Sequence, residues 1–250
     1  MVLVLIASII LELTGRYIAV ALLATVLCIL ALAALNFRDF RRLFSGVKGR
    51  IWLFLSLALV LSFALRLYFL PLLGLGDKAI DAVEGAEIII NGEPFPSSML
   101  AAPQAYSFLV AMVSVFFGQN IFSILFFNVL LSGLTAVLVF AAGYLLTKSE
   151  KASLFAAFIF AVFPNSIFFA PHCSEITASL FFMSLALAAF LGSIELKTRK
   201  SFLFFFLVFV FAVSMRPENA LFLPVFLGSY LIFLKRSDWR KLTAPFIVFL

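Results

Sequence analysis

The chain has 250 residues, of which 65% are hydrophobic and only 12% are charged, and its formal net charge is +6. A soluble domain carries about a quarter charged residues, so this composition excludes an ordinary globular protein. The positive charge does not indicate nucleic-acid binding, because it falls in short blocks between apolar segments.

Apolar segments of about 17 to 25 residues recur along the chain, which is the length that crosses a ~30 Å hydrocarbon layer as a helix. Lipid offers no partner to backbone polar groups, so such segments must be helical. The sequence therefore predicts an all-α, polytopic membrane bundle of about seven to nine spans. The predicted spans are residues 17–36, 51–71, 120–146, 152–171, 176–193, 202–216 and 220–234, with a partial span from residue 243.

Residues 1–50 are predicted to form a membrane hairpin and a basic cytoplasmic loop. The first eleven residues are apolar but short, and no basic segment precedes them as it would in a cleavable signal peptide. Residues 51–250 are predicted to form the main transmembrane module. Because the chain ends within an apolar run, we expect this module to be cut short at its C-terminus.

The basic residues predict which loops are cytoplasmic. Fourteen of the eighteen Lys and Arg residues lie within residues 38–50, 148–151, 197–200 and 235–241. Segment 102–118 either crosses the membrane or lies along its outer surface, and only the second choice leaves all four blocks inside. We prefer that threading, which also opens the polar breaks HCSE (172–175) and RPEN (216–219) on the outer side.

The outer loop, residues 74–103, holds five of the twelve acidic residues, all within GLGDKAIDAVEGAEIIINGE. Asp77, Asp81, Glu84 and Glu87 follow one another at helical spacing, which predicts a surface helix with these acids on one face. Apolar positions between and after them are expected to rest on the membrane surface, namely Ile80, Val83, Ile89 and Ile90.

Two acids at span ends are candidate catalytic residues. Asp77 follows GLG just beyond a span and is either a general base or metal ligand, or the N-cap of the loop helix. Glu175 begins a span and is either a functional carboxylate at membrane depth or an acid that complements the helix dipole. His172, the one histidine, is more often a polar loop residue than a ligand in such a position.

Four residues are candidates for binding a substrate, namely His172, Arg66, Arg216 and Glu218. In SMRPENALF, Pro217 forces a turn between two spans. Arg216 either pairs with the phosphate of a lipid carrier or forms a turn with Glu218 without any ligand. Arg66, near the outer end of span 51–71, is expected to extend its guanidinium to the same surface.

From about residue 51 to 235 the chain carries a series of segments in a characteristic order: ALRLYFL, AEIIINGE, PQAYSFLVAMVSVFFG, LLSGLTAVLVFAAGYLL, FAAFIFAVFPNSIFFAPHCSEITASLFF and SMRPENALFLPVFL. Their order and spacing resemble the N-terminal half of a GT-C superfamily glycosyltransferase. The resemblance is to the group that includes dolichyl-phosphate-mannose protein mannosyltransferases and aminoarabinose transferases.

The resemblance implies an enzyme that transfers a sugar from a polyprenyl- or dolichyl-phosphate carrier to an acceptor outside the cytoplasm. It implies that Asp77 is the catalytic base, that Glu175 is a second outer acid, and that Arg216 contacts the donor phosphate. The usual Asp-Glu or Asp-Ala-Tyr is here Asp77-Lys78-Ala79, so Asp81 competes with Asp77 as the base. Because the family is divided on metals, a divalent cation is an open prediction.

The rival predictions are a transporter or flippase of a lipid-linked or small polar substrate, and a non-catalytic membrane subunit. A transporter favours polar residues inside spans and helices broken at the midplane, whereas here the polar breaks lie at span ends. A non-catalytic subunit predicts that replacing Asp77 changes stability alone. We expect a multi-pass cell-membrane protein with an outward-facing active site, with a lipid-linked donor and membrane lipids as its partners; neither sugar nor acceptor is indicated.

Overall fold

The computed structural model of the protein describes residues 2–69, 77–93, 104–118, 120–172 and 175–233. These residues form helices and connections and contain no strand, which confirms the predicted all-α membrane bundle. The α-helices are α1 Val2–Leu43, α2 Gly49–Phe69, α3 Asp77–Asn91, α4 Gln104–Phe117, α5 Ile121–Thr147, α6 Glu150–Val162, α7 Pro164–Phe169, α8 Glu175–Leu196, α9 Arg199–Met215 and α10 Leu223–Phe233. Among these described residues, two 3-10 segments, Ala170–His172 and Pro217–Phe222, follow α7 and α9.

Four helices in the described part of the chain are long and apolar enough to cross a membrane: α1, α2, α5 and α8. A fifth span is formed if α6 and the segment Pro164–His172 cross together, although they bend by 52° where they meet. The prediction had treated this stretch as one straight span. Helix α9 has 17 residues and α10 has 11, so the predicted number of seven to nine spans stays a prediction.

The N-terminal segment differs from the predicted hairpin, because Val2–Leu43 is one continuous helix. The stretch that would have formed the hairpin turn contains Gly15 but no proline. A single glycine inside a helix costs about 1 kcal/mol and does not end it. The proposed division at residue 50 stays a prediction, as do the basic block 235–241 and the partial span from residue 243, which lie outside the described residues.

Three of the four basic segments meet at one end of the bundle, which we call the basic end (residues 38–50, 148–151 and 195–200). The backbone N–H of Lys48 donates to Glu150 Oε1 over 3.0 Å, and Lys148 forms an ion pair with Glu195. The opposite end, which we call the loop end, holds residues 163–172, Glu175 and residues 212–223. The described residues of both polar breaks lie there, at the end of the bundle opposite the basic segments.

Polar side chains begin several helices at the points where the chain reverses. The side chain of Ser149 accepts a hydrogen bond from the N–H of Ala152, and that of Thr198 accepts one from Ser201. At the start of α5, the Asn120 side chain accepts from Phe122 N–H. These caps satisfy N–H groups that the first turn of a helix leaves unpaired.

Helix α4 was predicted to lie along the outer membrane surface, and the structure shows that neighbouring helices cover most of it. Its 14 residues extend about 21 Å, which is shorter than a full span. Most of it is buried among its neighbours α3, α5 and α9. A helix that is apolar on every side is expected to be buried rather than half exposed, which explains the difference.

Candidate functional site

The break between α6 and α7 places a cavity at the loop end. Phe163 is extended, with φ −66° and ψ 119°, and Pro164 follows it as the first residue of α7. Proline is suited to the first position of a helix and unsuited to its interior, so the chain bends here. Beside the bend lies a cavity of about 310 Å³ between α5, α6, α7 and α8.

The cavity has polar and apolar walls. Polar side chains line it at Ser132, Thr135, Asn165, Ser166 and Thr177, and aromatic and aliphatic side chains complete it. Several lining residues, including Asn165, are exposed, so the cavity opens to the outside of the bundle. An apolar pocket with a few polar groups directed into it is the usual form of a binding site for a small or lipid-like molecule.

Arg66 does not extend to the membrane surface as predicted; it is fully buried, with a relative exposure of 0%. It lies about 25 Å along α2 from the basic end, counted at 1.5 Å per residue. Its Nε donates to Ser132 Oγ over 2.6 Å, and its Nη2 donates to Ser166 Oγ over 2.8 Å. Its Nη1 donates to the carbonyls of Ser62 and Ala161, over 2.9 Å and 3.0 Å.

These hydrogen bonds explain why Arg66 stays inside. They supply acceptors from α2, α5, α6 and α7, and the planar guanidinium can reach all of them at once. The ring of Phe160 lies 5.9 Å from the guanidinium carbon, which adds a cation–π contact. No carboxylate pairs with Arg66 among the described residues, so this charge is held by neutral acceptors alone.

The buried arginine lies directly behind the cavity wall. Ser132 and Ser166 each contact Arg66 and also line the cavity. Ser166 Oγ further donates to the Phe163 carbonyl over 2.9 Å, so the same network fixes the bend in the chain. A positive charge in a low-dielectric interior acts strongly over short distances, so the cavity favours an anionic or electron-rich group.

Glu175 and His172 lie close in sequence on the same side of the cavity. Glu175 is the first residue of α8 and is only 6% exposed. The residues that follow it, Ile176 and Thr177, line the cavity, and Thr177 Oγ1 donates to the Phe169 carbonyl over 3.2 Å. A carboxylate in the first turn complements the helix dipole, and its burial is the further feature that a simple surface cap lacks.

His172 is half-buried, and its ring lies against that of Phe168 with centroids 4.4 Å apart. Its Nδ1 is buried and has no hydrogen-bond partner in the described part of the chain. Cys173 and Ser174, which separate His172 from Glu175, lie outside the described residues. The structure therefore places His172 near the cavity but assigns it no ligand.

Arg216 and Glu218 form a turn with each other, which is one of the two alternatives predicted from the sequence. Arg216 Nε lies 3.6 Å from Glu218 Oε2, and the two side chains are 34% and 66% exposed. Arg216 is also the C-cap of α9. Its guanidinium reaches the surface of the loop end, where a phosphate could compete with Glu218 for it.

Asn219 is a neighbour that sequence reasoning missed. It is only 9% exposed, and its Nδ2 donates to Ser179 Oγ over 2.8 Å and to the Ala212 carbonyl over 2.7 Å. These bonds join the RPEN break to α8 and α9. The signal available in the sequence was an amide within a polar break, but the partner forty positions earlier could not be read from it.

Helix α3 carries its acids on the exposed face, as predicted for the three that the structure describes: Asp81, Glu84 and Glu87. Its buried positions are small, at Ala82, Gly85 and Ala86, and α3 packs on α4 through them. Ile80 is exposed, whereas Val83 and Ile89 pack on the core. Asp77 is the first residue of the helix, but its side chain lies outside the described part.

The structure brings the predicted site residues together only in part. Arg66 contacts two residues of the cavity wall, and Glu175 directly precedes two others, Ile176 and Thr177. Arg216 and Glu218 belong to the break that Asn219 joins to Ser179 of α8. Asp81 lies on a separate helix, on its solvent-facing side. Among the described residues, no group of three His, Cys, Asp or Glu side chains could hold a metal ion, and a site that includes Asp77 is not covered by that finding.

Comparison of the sequence with known protein families identifies one family that matches. The family model for dolichyl-phosphate-mannose-protein mannosyltransferase matches residues 101–250. That range includes His172, Glu175, Arg216 and Glu218, whereas Arg66, Asp77 and Asp81 precede it. No curated protein and no solved structure matches the chain. Because the family match covers more than half of the chain, the protein belongs to the dolichyl-phosphate-mannose-protein mannosyltransferase family and is a membrane glycosyltransferase.

Proposed function

We propose that the protein transfers a sugar from a polyprenyl- or dolichyl-phosphate-linked donor to an acceptor on the extracytoplasmic side of the membrane. Family membership supports a lipid-linked donor in a membrane setting. The acceptor hydroxyl or amide would attack the anomeric carbon of the sugar. The bond from that carbon to the phosphate oxygen breaks, and the carrier leaves as the phosphate.

The observation that carries the proposal is the separation of charge between the two ends of the bundle. Three basic segments meet at the basic end. The loop end holds Glu175, and α3, in the predicted outer loop, carries Asp81, Glu84 and Glu87. Basic loops are retained in the cytoplasm. The proposal accordingly assigns the acids and the cavity to the extracytoplasmic side, where this chemistry would take place.

An aspartate of the loop would serve as the general base and accept the proton from the acceptor. Asp81 is exposed, which allows a carboxylate to reach an incoming acceptor, and Asp77 begins the same helix one turn earlier. Arg216 would stabilise the charge that develops on the departing phosphate. Its partial exposure and its long contact with Glu218 leave it able to rotate toward a ligand.

The test uses the full-length protein in lipid with a radiolabelled polyprenyl-phosphate-mannose donor. Loss of a general base lowers transfer by about a hundredfold or more, so we expect that loss in either Asp77→Asn or Asp81→Asn. Glu84→Gln, on the same exposed face, is the matched control and should transfer at the wild-type rate. Wild-type rates in both aspartate variants would reject the loop base.

Whether the reaction needs a divalent cation is an open part of the proposal. Its need is measured by transfer with and without a chelator, and restoration by added Mn²⁺ or Mg²⁺ would assign it. If the chelator has no effect while Asp77→Asn or Asp81→Asn abolishes transfer, the loop aspartate acts as a base without a metal. If the chelator abolishes transfer and added Mn²⁺ or Mg²⁺ restores it, the loop aspartate is a candidate metal ligand.

Transport is a second candidate that one observation favours. Helices broken within the membrane and buried charges are typical of transporters, and α6–α7 with Arg66 has both features. Proteoliposomes that hold the labelled donor but no acceptor separate the two functions. Movement of donor between leaflets without transfer would support a flippase, whereas transfer that requires an acceptor supports the enzyme.

A further inference from the structure

A second cavity lies in the half of the bundle nearer the basic end and belongs to no site described above. It has a volume of about 220 Å³ and lies between α1, α5, α8 and α9. Every residue that lines it is alanine, leucine or phenylalanine. We call it the α1 groove, and define it by Ala33, Phe37 and Phe44 on one wall and Leu138, Ala141 and Leu145 on another.

The α1 groove exists because α1 packs closely along α9 and makes fewer contacts with its other neighbours. Helix α1 packs mainly along α9, where Phe40 lies edge-on to Phe204 with ring centroids 6.0 Å apart. Near the basic end, Phe44 meets Tyr144 of α5 at 5.6 Å. Farther from the basic end, the facing residues of α1 and α5 are small, Ala33 and Ala141 among them, so the space between the two helices stays open.

The dimensions of the groove match one acyl chain in one leaflet. From Ala33 to Phe44 it follows α1 for eleven residues, or about 16 Å. A single leaflet contributes about half of a ~30 Å hydrocarbon core. Because three of the helices that form the groove, α1, α5 and α8, are long and apolar enough to span the membrane, an all-apolar groove at this depth is expected to contact lipid tails rather than water.

A free cation lies where the headgroup of such a lipid would sit. Arg41 follows Phe37 by four positions, so it lies on the same face of α1, one turn closer to the basic end. It is exposed, and no ion pair joins it to another residue in the described part of the chain. The nearby Arg42 and Lys148 differ in this respect, because each has a carboxylate partner, Asp39 and Glu195.

From this arrangement we propose that the α1 groove binds one anionic phospholipid from the leaflet at the basic end. One acyl chain fills the groove, and the phosphate pairs with Arg41. The bound lipid seals α1 against α5 at the place where the protein leaves a gap. The site is separate from the cavity at the loop end, and the proposal does not depend on the sugar-transfer reaction.

The experiment measures which lipid stays bound to the purified full-length protein. The protein is exchanged into mixed micelles that contain equal phosphatidylglycerol and phosphatidylcholine, and retained lipids are counted by native mass spectrometry. We expect one phosphatidylglycerol to be retained in preference to phosphatidylcholine. Arg41→Gln should reduce that preference roughly fivefold, the effect of one arginine near an anionic surface. Arg38→Gln is the matched control and should leave it unchanged, because the residue four positions before Arg38 is the exposed Ala34, which does not line the groove.

A second pair of variants tests the groove itself. Ala33→Leu combined with Ala141→Leu fills the groove from both walls and should abolish retention of either lipid. Ala31→Leu, on the exposed side of α1, should retain lipid as the wild type does. Equal retention of both lipids by the wild type, or no effect of Arg41→Gln, would overturn the proposal. A dimer that replaces the bound lipid would assign the groove to a second copy of the chain and overturn it equally.

Discussion

The two ends of the bundle hold their polar groups in opposite ways. At the basic end the ion pairs are exposed, as in Lys148–Glu195, where the side chains are 52% and 43% accessible. At the loop end two charged side chains are buried, Arg66 with no accessible surface and Glu175 with 6%, while the Arg216–Glu218 pair stays partly exposed. At the basic end the chain only reverses between helices, as between α5 and α6, whereas at the loop end a bend at Phe163 separates α6 from α7.

The difference shows where the fold accepts an energetic cost. A hydrated charge at a helix end costs little, and it needs no structure to hold it. A buried guanidinium loses its hydration and must be given acceptors from several helices at once. The loop end carries that cost beside a cavity, and such places are where functional sites are expected. Under the proposed function, the basic end would set the orientation in the membrane and the loop end would hold the site of transfer.

The largest expected effect comes from removing the buried charge. Arg66→Met should lower the free energy of unfolding by about 3 kcal/mol, because buried hydroxyl and carbonyl groups on four helices lose their donor. Arg66→Lys should recover only part of this, since an ammonium cannot reach all of these acceptors together. Both are measured by denaturant unfolding of the protein in mixed micelles.

The matched control is Arg38→Met at the exposed end of α1, which should change stability by no more than about 0.5 kcal/mol. If Arg66→Met were as stable as Arg38→Met, the contrast between a buried and an exposed charge would fail. If Arg66→Lys were as stable as the wild type, the positive charge alone would account for the stabilisation, and the several hydrogen bonds of the guanidinium would not be needed.

A middle-sized effect is expected at Asn219, which joins the second break to its neighbours. Asn219→Ala removes hydrogen bonds to Ser179 and to the Ala212 carbonyl and should cost about 2 kcal/mol. Ser179→Ala removes only one of them and should cost about half as much. In the double variant, the Ser179 change should add little. Fully additive losses would show that the two residues stabilise the loop end independently.

The smallest effect is expected at the basic end. Lys148→Gln removes an exposed ion pair and should cost less than about 1 kcal/mol. The loss should vanish in 1 M salt, where the Debye length falls to about 3 Å. Unfolding measured at low and high salt checks this. A loss greater than that of Asn219→Ala, or one that salt leaves intact, would mean that the two ends are built alike.

The span pattern could be predicted because it depends on composition over long windows. Residues 51–71, 120–146 and 176–193 are each within a few residues of helices α2, α5 and α8. The bend at Phe163 was missed although Pro164 was visible, because the apolar run continues through it. The N-terminal hairpin was wrong because Gly15 alone does not end a helix.

The site was harder to predict because its contacts join distant parts of the chain. Arg66 meets Ser132 and Ser166, which lie 66 and 100 positions later, and nothing local distinguishes those serines from others in the spans. Without these partners, extension to the surface was the reasonable expectation for Arg66. The exposed acids of α3 were predictable, since spacing alone places Asp81, Glu84 and Glu87 on one face.

The proposed site of transfer requires the two ends of the bundle to face opposite sides of the membrane, and cysteine labelling measures this. Glu84→Cys and Lys151→Cys are each introduced into a chain in which Cys28 and Cys173 are replaced by serine. Intact cells are treated with a membrane-impermeant maleimide before and after lysis. Labelling of Glu84→Cys in intact cells, and of Lys151→Cys only after lysis, is the predicted result. The reverse pattern would place the loop end in the cytoplasm and contradict the proposed site of transfer.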